Sequence, residues 1–259
     1  MSKLLSISFV VAFSLIAGTG NADTVSFDTS VWDHGSGPQM GWIDGQTSGT
    51  TTVLGRTLTV SSTAFGTATP TADHFTRIDE SFFSGFAIQA IPNTTDQNGA
   101  TLTNFLRIDL SFSAPIRLDE FTLTDVDRTD GQWYDVIAAE AFTTTAVGAV
   151  GTGTSANYVG GSNIGFGTVA GLSAAGPLGA TGNVLNTPEN DIDISFDSEL
   201  SSFSIYYWNL NTANNGAATQ TIGIRGNAFE VSIVPEPGGV CLLMLGVWVG
   251  ASRRKRPIA

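Results

Sequence analysis

The run Ile108-Asp109-Leu110-Ser111-Phe112-Ser113 sets the fold class. Apolar and polar residues alternate one for one, the pattern of a strand with one face in a core and one face outward. The same period-two pattern recurs at Phe121–Thr124, Asp191–Phe196, Phe203–Trp208 and Phe229–Ile233. Threonine, valine, isoleucine and aromatic residues dominate these runs, as strands prefer. Turn-forming residues stand between them, at Asn93–Gly99, Ala114-Pro115, Asp127–Gly131 and Asn209–Gly216. No amphipathic helix is legible between residues 23 and 233. Many short strands with Gly- and Asn-rich turns predict an all-β domain, an antiparallel two-sheet β-sandwich of jelly-roll type.

One segment departs from this pattern. Residues 141–188 contain no charged side chain, and eleven of the 35 residues from Gly148 to Gly182 are glycine. Such a stretch is expected to pack poorly and to bend freely, with strands near Ala141–Val150 and Ile164–Leu172 joined by long loops. There is no fixed-period repeat, which argues against a solenoid.

Charge narrows the partners. Between Asp23 and Val234 the chain has 22 acids against six bases, all arginine, a net of −16. No basic patch is available, so nucleic acid and anionic membrane are excluded as partners of this region. The one cysteine, Cys241, lies outside it, so the region has no disulfide and must be stabilised by a core. About 210 residues suffice for one such core.

The two ends read as addresses. Lys3, the apolar run Leu4–Ala17 and the small residues Gly20-Asn21-Ala22 have the order of a secretory signal peptide, residues 1–22, cut between Ala22 and Asp23. The Sec translocon is the partner that reads it. At the other end Pro235-Glu236-Pro237 removes two backbone donors and stops regular structure. A 14-residue apolar run, 238–251, follows, and then Arg253-Arg254-Lys255-Arg256. As a helix the run would be roughly 21 Å long at ~1.5 Å per residue. That is short against a hydrocarbon core of about 30 Å, which suits a temporary transmembrane helix. The four cations would hold the C-terminus on the cytoplasmic side of the inner membrane.

That order of proline-flanked glutamate, apolar run and terminal basic cluster, residues 234–259, resembles the PEP-CTERM sorting tail of bacterial surface proteins. The resemblance covers about a tenth of the chain. It implies recognition by an exosortase, a membrane cysteine transpeptidase-like protease. It also implies removal of the tail near Pro235–Pro237, and a Gram-negative host that makes exopolysaccharide and biofilm. The function it implies is non-enzymatic. An exported cell-surface or matrix protein would act as a structural or carbohydrate-interacting β-sandwich among exopolysaccharide. The alternative is a secreted polysaccharide hydrolase.

Few residues offer chemistry. His34 and His74 are the only histidines, and neither adjoins a recognisable nucleophile. Gly-x-Ser-x-Gly and His-Glu-x-x-His are absent, so no catalytic residue is nominated. The stretch Asp125-Val126-Asp127-Arg128-Thr129-Asp130-Gly131-Gln132-Trp133-Tyr134-Asp135 is the best candidate site. It also looks like a turn common in PEP-CTERM passengers and other secreted β-sandwiches. If the preceding strand persists, Asp125 and Asp127 share a face, and Asp130 and Asp135 could complete an oxygen cage for calcium, the one cofactor considered. The plainer alternative is a solvated hairpin capped by Asx turns. Trp133 and Tyr134 in the same turn are the candidate sugar-stacking residues. Tyr207, in phase with Phe203 and Ile205, belongs to the core instead.

Overall fold

A computed structural model describes residues 22–24, 48–66, 85–90, 102–129, 133–179, 182, 184, 190–210, 220–225 and 230–233. Their regular elements are fifteen β-strands in two antiparallel sheets, of eleven and four strands, packed together. In chain order they are β1 (Ala22–Thr24), β2 (Ser48–Val53), β3 (Arg56–Phe65), β4 (Gly85–Ala90), β5 (Phe105–Thr124), β6 (Arg128–Thr129), β7 (Trp133–Phe142) and β8 (Thr154–Ser155). Then come β9 (Asn157–Gly160), β10 (Gly165–Val169), β11 (Leu172–Gly176), β12 (Ile192–Ser195), β13 (Leu200–Asn209), β14 (Gln220–Arg225) and β15 (Glu230–Ile233). The expected signal peptide up to Asn21, the tail from Val234, the histidines, the turn Asn93–Gly99 and Asp130 lie outside the described residues.

The larger sheet is built on β5 and β13. The first half of β5 pairs with β3 on one side and β13 on the other, from Leu58↔Phe112 and Ser202↔Ser111 down to Ala64↔Leu106 and Tyr207↔Leu106. From β13 the sheet continues through β7 and β11 to β10. The far half of β5 turns away. There Ile116–Glu120 pairs with β15, and Phe121–Thr124 joins β12 and β14 of the smaller sheet. One strand thus starts in one sheet and ends in the other, a corner of the kind that bulges permit.

The sequence places a strand break at Ala114-Pro115, and the structure places none. Instead the register against β13 jumps between Leu200↔Ile116 and Ser202↔Ser111. Extra β5 residues bulge out there, so exposed Pro115 sits where no ladder donor is required.

The alternation itself holds. Ile108, Leu110 and Phe112 of β5, Phe203, Ile205 and Tyr207 of β13, and Ile192, Ile194, Ile222 and Ile224 of the smaller sheet meet in one buried cluster. Phe203 lies edge-on to Phe121 at 5.4 Å between centroids and 6.0 Å from Phe196. Burying such rings stabilises by roughly 1.5–3 kcal/mol each.

The outward face of β13 is also buried, against the expectation of one wet face. Tyr206 and Trp208 pack with Phe105, Val136, Ala138, Leu172 and Ala174, under partly buried Val150, Leu178 and Leu210. The cover comes from the uncharged segment. Residues 143–153 form bends rather than the strand expected through Val150, and Ser201 and Ser202 fasten them by donating to the Thr143 and Thr144 carbonyls at 3.0 and 2.8 Å. Buried Glu140 accepts from the Tyr206 hydroxyl at 2.9 Å and from the Gly151 N–H at 2.8 Å. The second expected strand, Ile164–Leu172, proves to be a hairpin of β10 and β11 turning at Ala170-Gly171. The segment is therefore packed in part, with Ala156, Ile164, Leu172, Ala174 and Ala175 buried among its described residues. Its small residues let backbone approach backbone.

Candidate functional site: the acidic turn

β5 stops at Thr124 because Asp125 adopts φ +62°, a left-handed conformation that Asp tolerates better than most residues. The expectation that Asp125 and Asp127 share a strand face fails for that reason. Fully buried Val126 pins the crossing chain, and Arg128 and Thr129 of β6 then pair with Tyr134 and Trp133 of β7. Arg128 also forms a two-way backbone bridge with Val184, at 3.0 and 2.8 Å.

The structure brings three of the four candidate carboxylates into mutual influence. Asp135 is buried, not solvated. Its Oδ1 accepts from the Tyr207 hydroxyl at 2.8 Å, and its Oδ2 accepts from the Asp127 N–H at 3.3 Å. The backbone answers with Asp135 N–H donating to the Asp127 carbonyl at 3.0 Å. Burial pushes the Asp135 carboxyl well above the usual range, helped by the nearby Asp127 and Asp125 charges and opposed by its two hydrogen bonds. Burial, with the Asp127 charge second, raises Asp125 to about 8. The Tyr207 hydroxyl is pushed up in turn, by burial first and then by Asp135. The solvated-hairpin alternative is therefore wrong for buried Asp135, while Asp125 is half-buried.

Burial first, and the like charge of Asp127 second, hold both carboxyls above their ordinary range, Asp125 at about 8. Among the described residues no three His, Cys, Asp or Glu side chains form a group able to hold a metal. Asp135 is committed inward to Tyr207, which takes one of the four candidate carboxylates out of a calcium cage. Melting in calcium and in chelator at equal ionic strength is expected to coincide within about 1 °C. A calcium site filled a hundredfold above its dissociation constant would instead add about 2.7 kcal/mol, roughly 5–10 °C for a domain of this size.

Tyr134 is held on three sides. Its hydroxyl donates to the Pro177 carbonyl at 2.8 Å, its N–H donates to Asn209 Oδ1 at 2.9 Å, and the Arg128 guanidinium lies 4.9 Å from its ring centroid. The Trp133 side chain is outside the described residues. Sequence reasoning missed Tyr207 and Asn209 as partners of this turn. They come from β13, more than 70 residues away, and only the β13–β7 register Asn209↔Asp135 brings them there. Compared with family models, curated proteins and solved structures, the chain matches none.

Proposed function

We propose that this protein is exported through the Sec translocon, held briefly in the inner membrane by its tail, and released by an exosortase to the cell surface or matrix. There its sandwich, of jelly-roll type, serves as a structural or carbohydrate-interacting element among exopolysaccharide. One observation carries the proposal: the ordered tail of Pro235-Glu236-Pro237, apolar 238–251 and Arg253–Arg256 at one end of a chain whose other end reads as a signal peptide. The fold is compatible with processing at both ends. Ala22–Thr24 pairs with Glu230–Ser232, so the expected N-terminal cut falls within the three-residue edge strand β1 and the C-terminal one follows its partner β15. The acidic turn supports a structural part in this reading, since its Asp135 carboxyl is spent on hydrogen bonds and burial.

The test is fractionation of the native host with intact-mass measurement. The surface form is expected to begin at Asp23 and to lack 238–259. Glu236→Ala is expected to strand the precursor in the inner membrane. Surface material ending at Ala259, or unchanged localisation of the variant, would overturn the proposal.

A further inference from the structure

β10 ends the larger sheet, and among the described residues it pairs only with β11. Open edges in natural proteins are normally guarded by charge, proline or a bulge. This one has none of them. It lies within the 48 residues that carry no charge, on a chain of net charge −12. Phe166 of β10, 53% exposed, is one of the two exposed large hydrophobic residues of the described structure and stands on this edge strand. Phe166 stacks on Tyr158 with centroids 6.4 Å apart, so its ring is supported from behind.

The hairpin fixes which backbone groups point outward. Its two-residue turn, Ala170 at φ 53° and Gly171 at φ 81°, is of the type that makes the flanking pair Val169↔Leu172 hydrogen-bonded. Alternation then assigns Gly167 to β11 and directs the N–H and C=O groups of Phe166 and Thr168 to the open edge.

We infer that this edge pairs with the same edge of a second copy of the chain, antiparallel and centred on Gly167. The register is self-complementary. Phe166 of each copy faces Thr168 of the other, and each such pair exchanges two backbone hydrogen bonds. The central Gly167 pair is the close, non-hydrogen-bonded kind, with Cα atoms about 4.5 Å apart. The two Phe166 rings become diagonal neighbours on the inner face, within reach of one another. Charge selects the occupant: elsewhere the acidic surface repels a second copy, whereas here uncharged meets uncharged. A five-residue strand makes a small interface, so the contact is of the weak, transient class and gains from any anchoring that raises local concentration. It follows from the folded sandwich and does not depend on where the protein is delivered.

Cysteine cross-linking tests this in the full chain, in mild detergent and with Cys241→Ser removing the native thiol. A Cβ at Gly167 meets only Leu178 Cδ1 at 3.5 Å, so Gly167→Cys is tolerated. In the paired edge the two cysteines fall within disulfide range. Oxidation is expected to give a covalent dimer of Gly167→Cys, and far less of the control Thr145→Cys, an exposed residue away from the edge. Adding Thr168→Pro removes one outward donor per copy, and with it two of four bonds, without touching the hairpin. It is expected to cut cross-linking at least about fivefold. If that variant melts lower, Phe166→Lys replaces it, placing a charge on the exposed ring position. No dimer at 167, equal dimer at 145, or indifference to both edge variants would overturn the inference.

Discussion

Asp125→Asn is expected to make the protein more stable at pH 8.5 than the wild type, and to flatten most of the wild type's dependence on pH between 5.5 and 8.5. The native Asp125 carboxyl keeps its proton to about 8. In the unfolded chain it loses the proton near the ordinary value of ~3.9. Between those limits the native state binds more protons, so stability falls as pH rises and levels off above about 8. Asp135 acts in the same direction, since its carboxyl is also raised. The tyrosines Tyr158, Tyr206 and Tyr207 are all pushed upward from 10, so they titrate above this window.

A tenfold change in proton affinity corresponds to about 1.4 kcal/mol, so even part of the rise at Asp125 makes the variant roughly 1–3 kcal/mol more stable at pH 8.5. For a domain of about 210 residues that is a rise of about 2–12 °C in melting temperature. Asparagine also suits the backbone, since it tolerates the left-handed conformation that Asp125 adopts at φ +62°. Asp125→Ala separates the two causes, because it removes the charge but is strained at that φ. Thermal melts of the three proteins at pH 5.5 and 8.5 decide it. A wild type with equal melting at both values would show that the carboxyl is ionised throughout.

The strands were legible wherever their partners alternate locally. Ile108, Leu110 and Phe112 announce an inner face by themselves, and so do Phe203, Ile205 and Tyr207. Burial of the opposite face of β13 was not legible. Tyr206 and Trp208 are covered by Val150, Leu178 and Leu210, which lie in stretches with no periodicity. Pro115 misled because a bulge removes the usual penalty for proline in a strand. In the acidic turn, residue types were informative about chemistry but silent about solvation. Asp135 reads as a surface acid until Tyr207, 72 residues later, is placed beside it by strand register. The left-handed turn at Asp125 has no glycine or asparagine to signal it.

The uncharged segment shows how the same composition supports opposite physical readings, and glycine substitutions tell them apart. If its glycines serve flexibility, replacing any one by alanine should stabilise slightly by restricting the unfolded chain. If they serve packing, the result depends on position. At Gly176 a Cβ would stand 2.5 Å from the Asp135 carbonyl oxygen and 3.4 Å from Val136 Cα. Both are backbone atoms of β7, which cannot rotate away, and β7 is paired on its other side with β13. Gly176→Ala must therefore push β11 off β7 at the point where Asp135 enters the core. Its cost is expected at the upper end of overpacking, about 3 kcal/mol or more. That lowers the melting temperature by roughly 6–12 °C. Gly167→Ala is the control, because its Cβ would meet only Leu178 Cδ1 at ordinary contact distance and its φ is not left-handed. It is expected to melt within about 2 °C of the wild type. Equal, small effects at the two positions would mean that β11 is loosely held and that the segment is the flexible stretch its composition suggests. A large loss at Gly176 alone would mean that glycine is required here by the closeness of two strands, which ties the uncharged segment to the acidic turn through the Asp135 backbone.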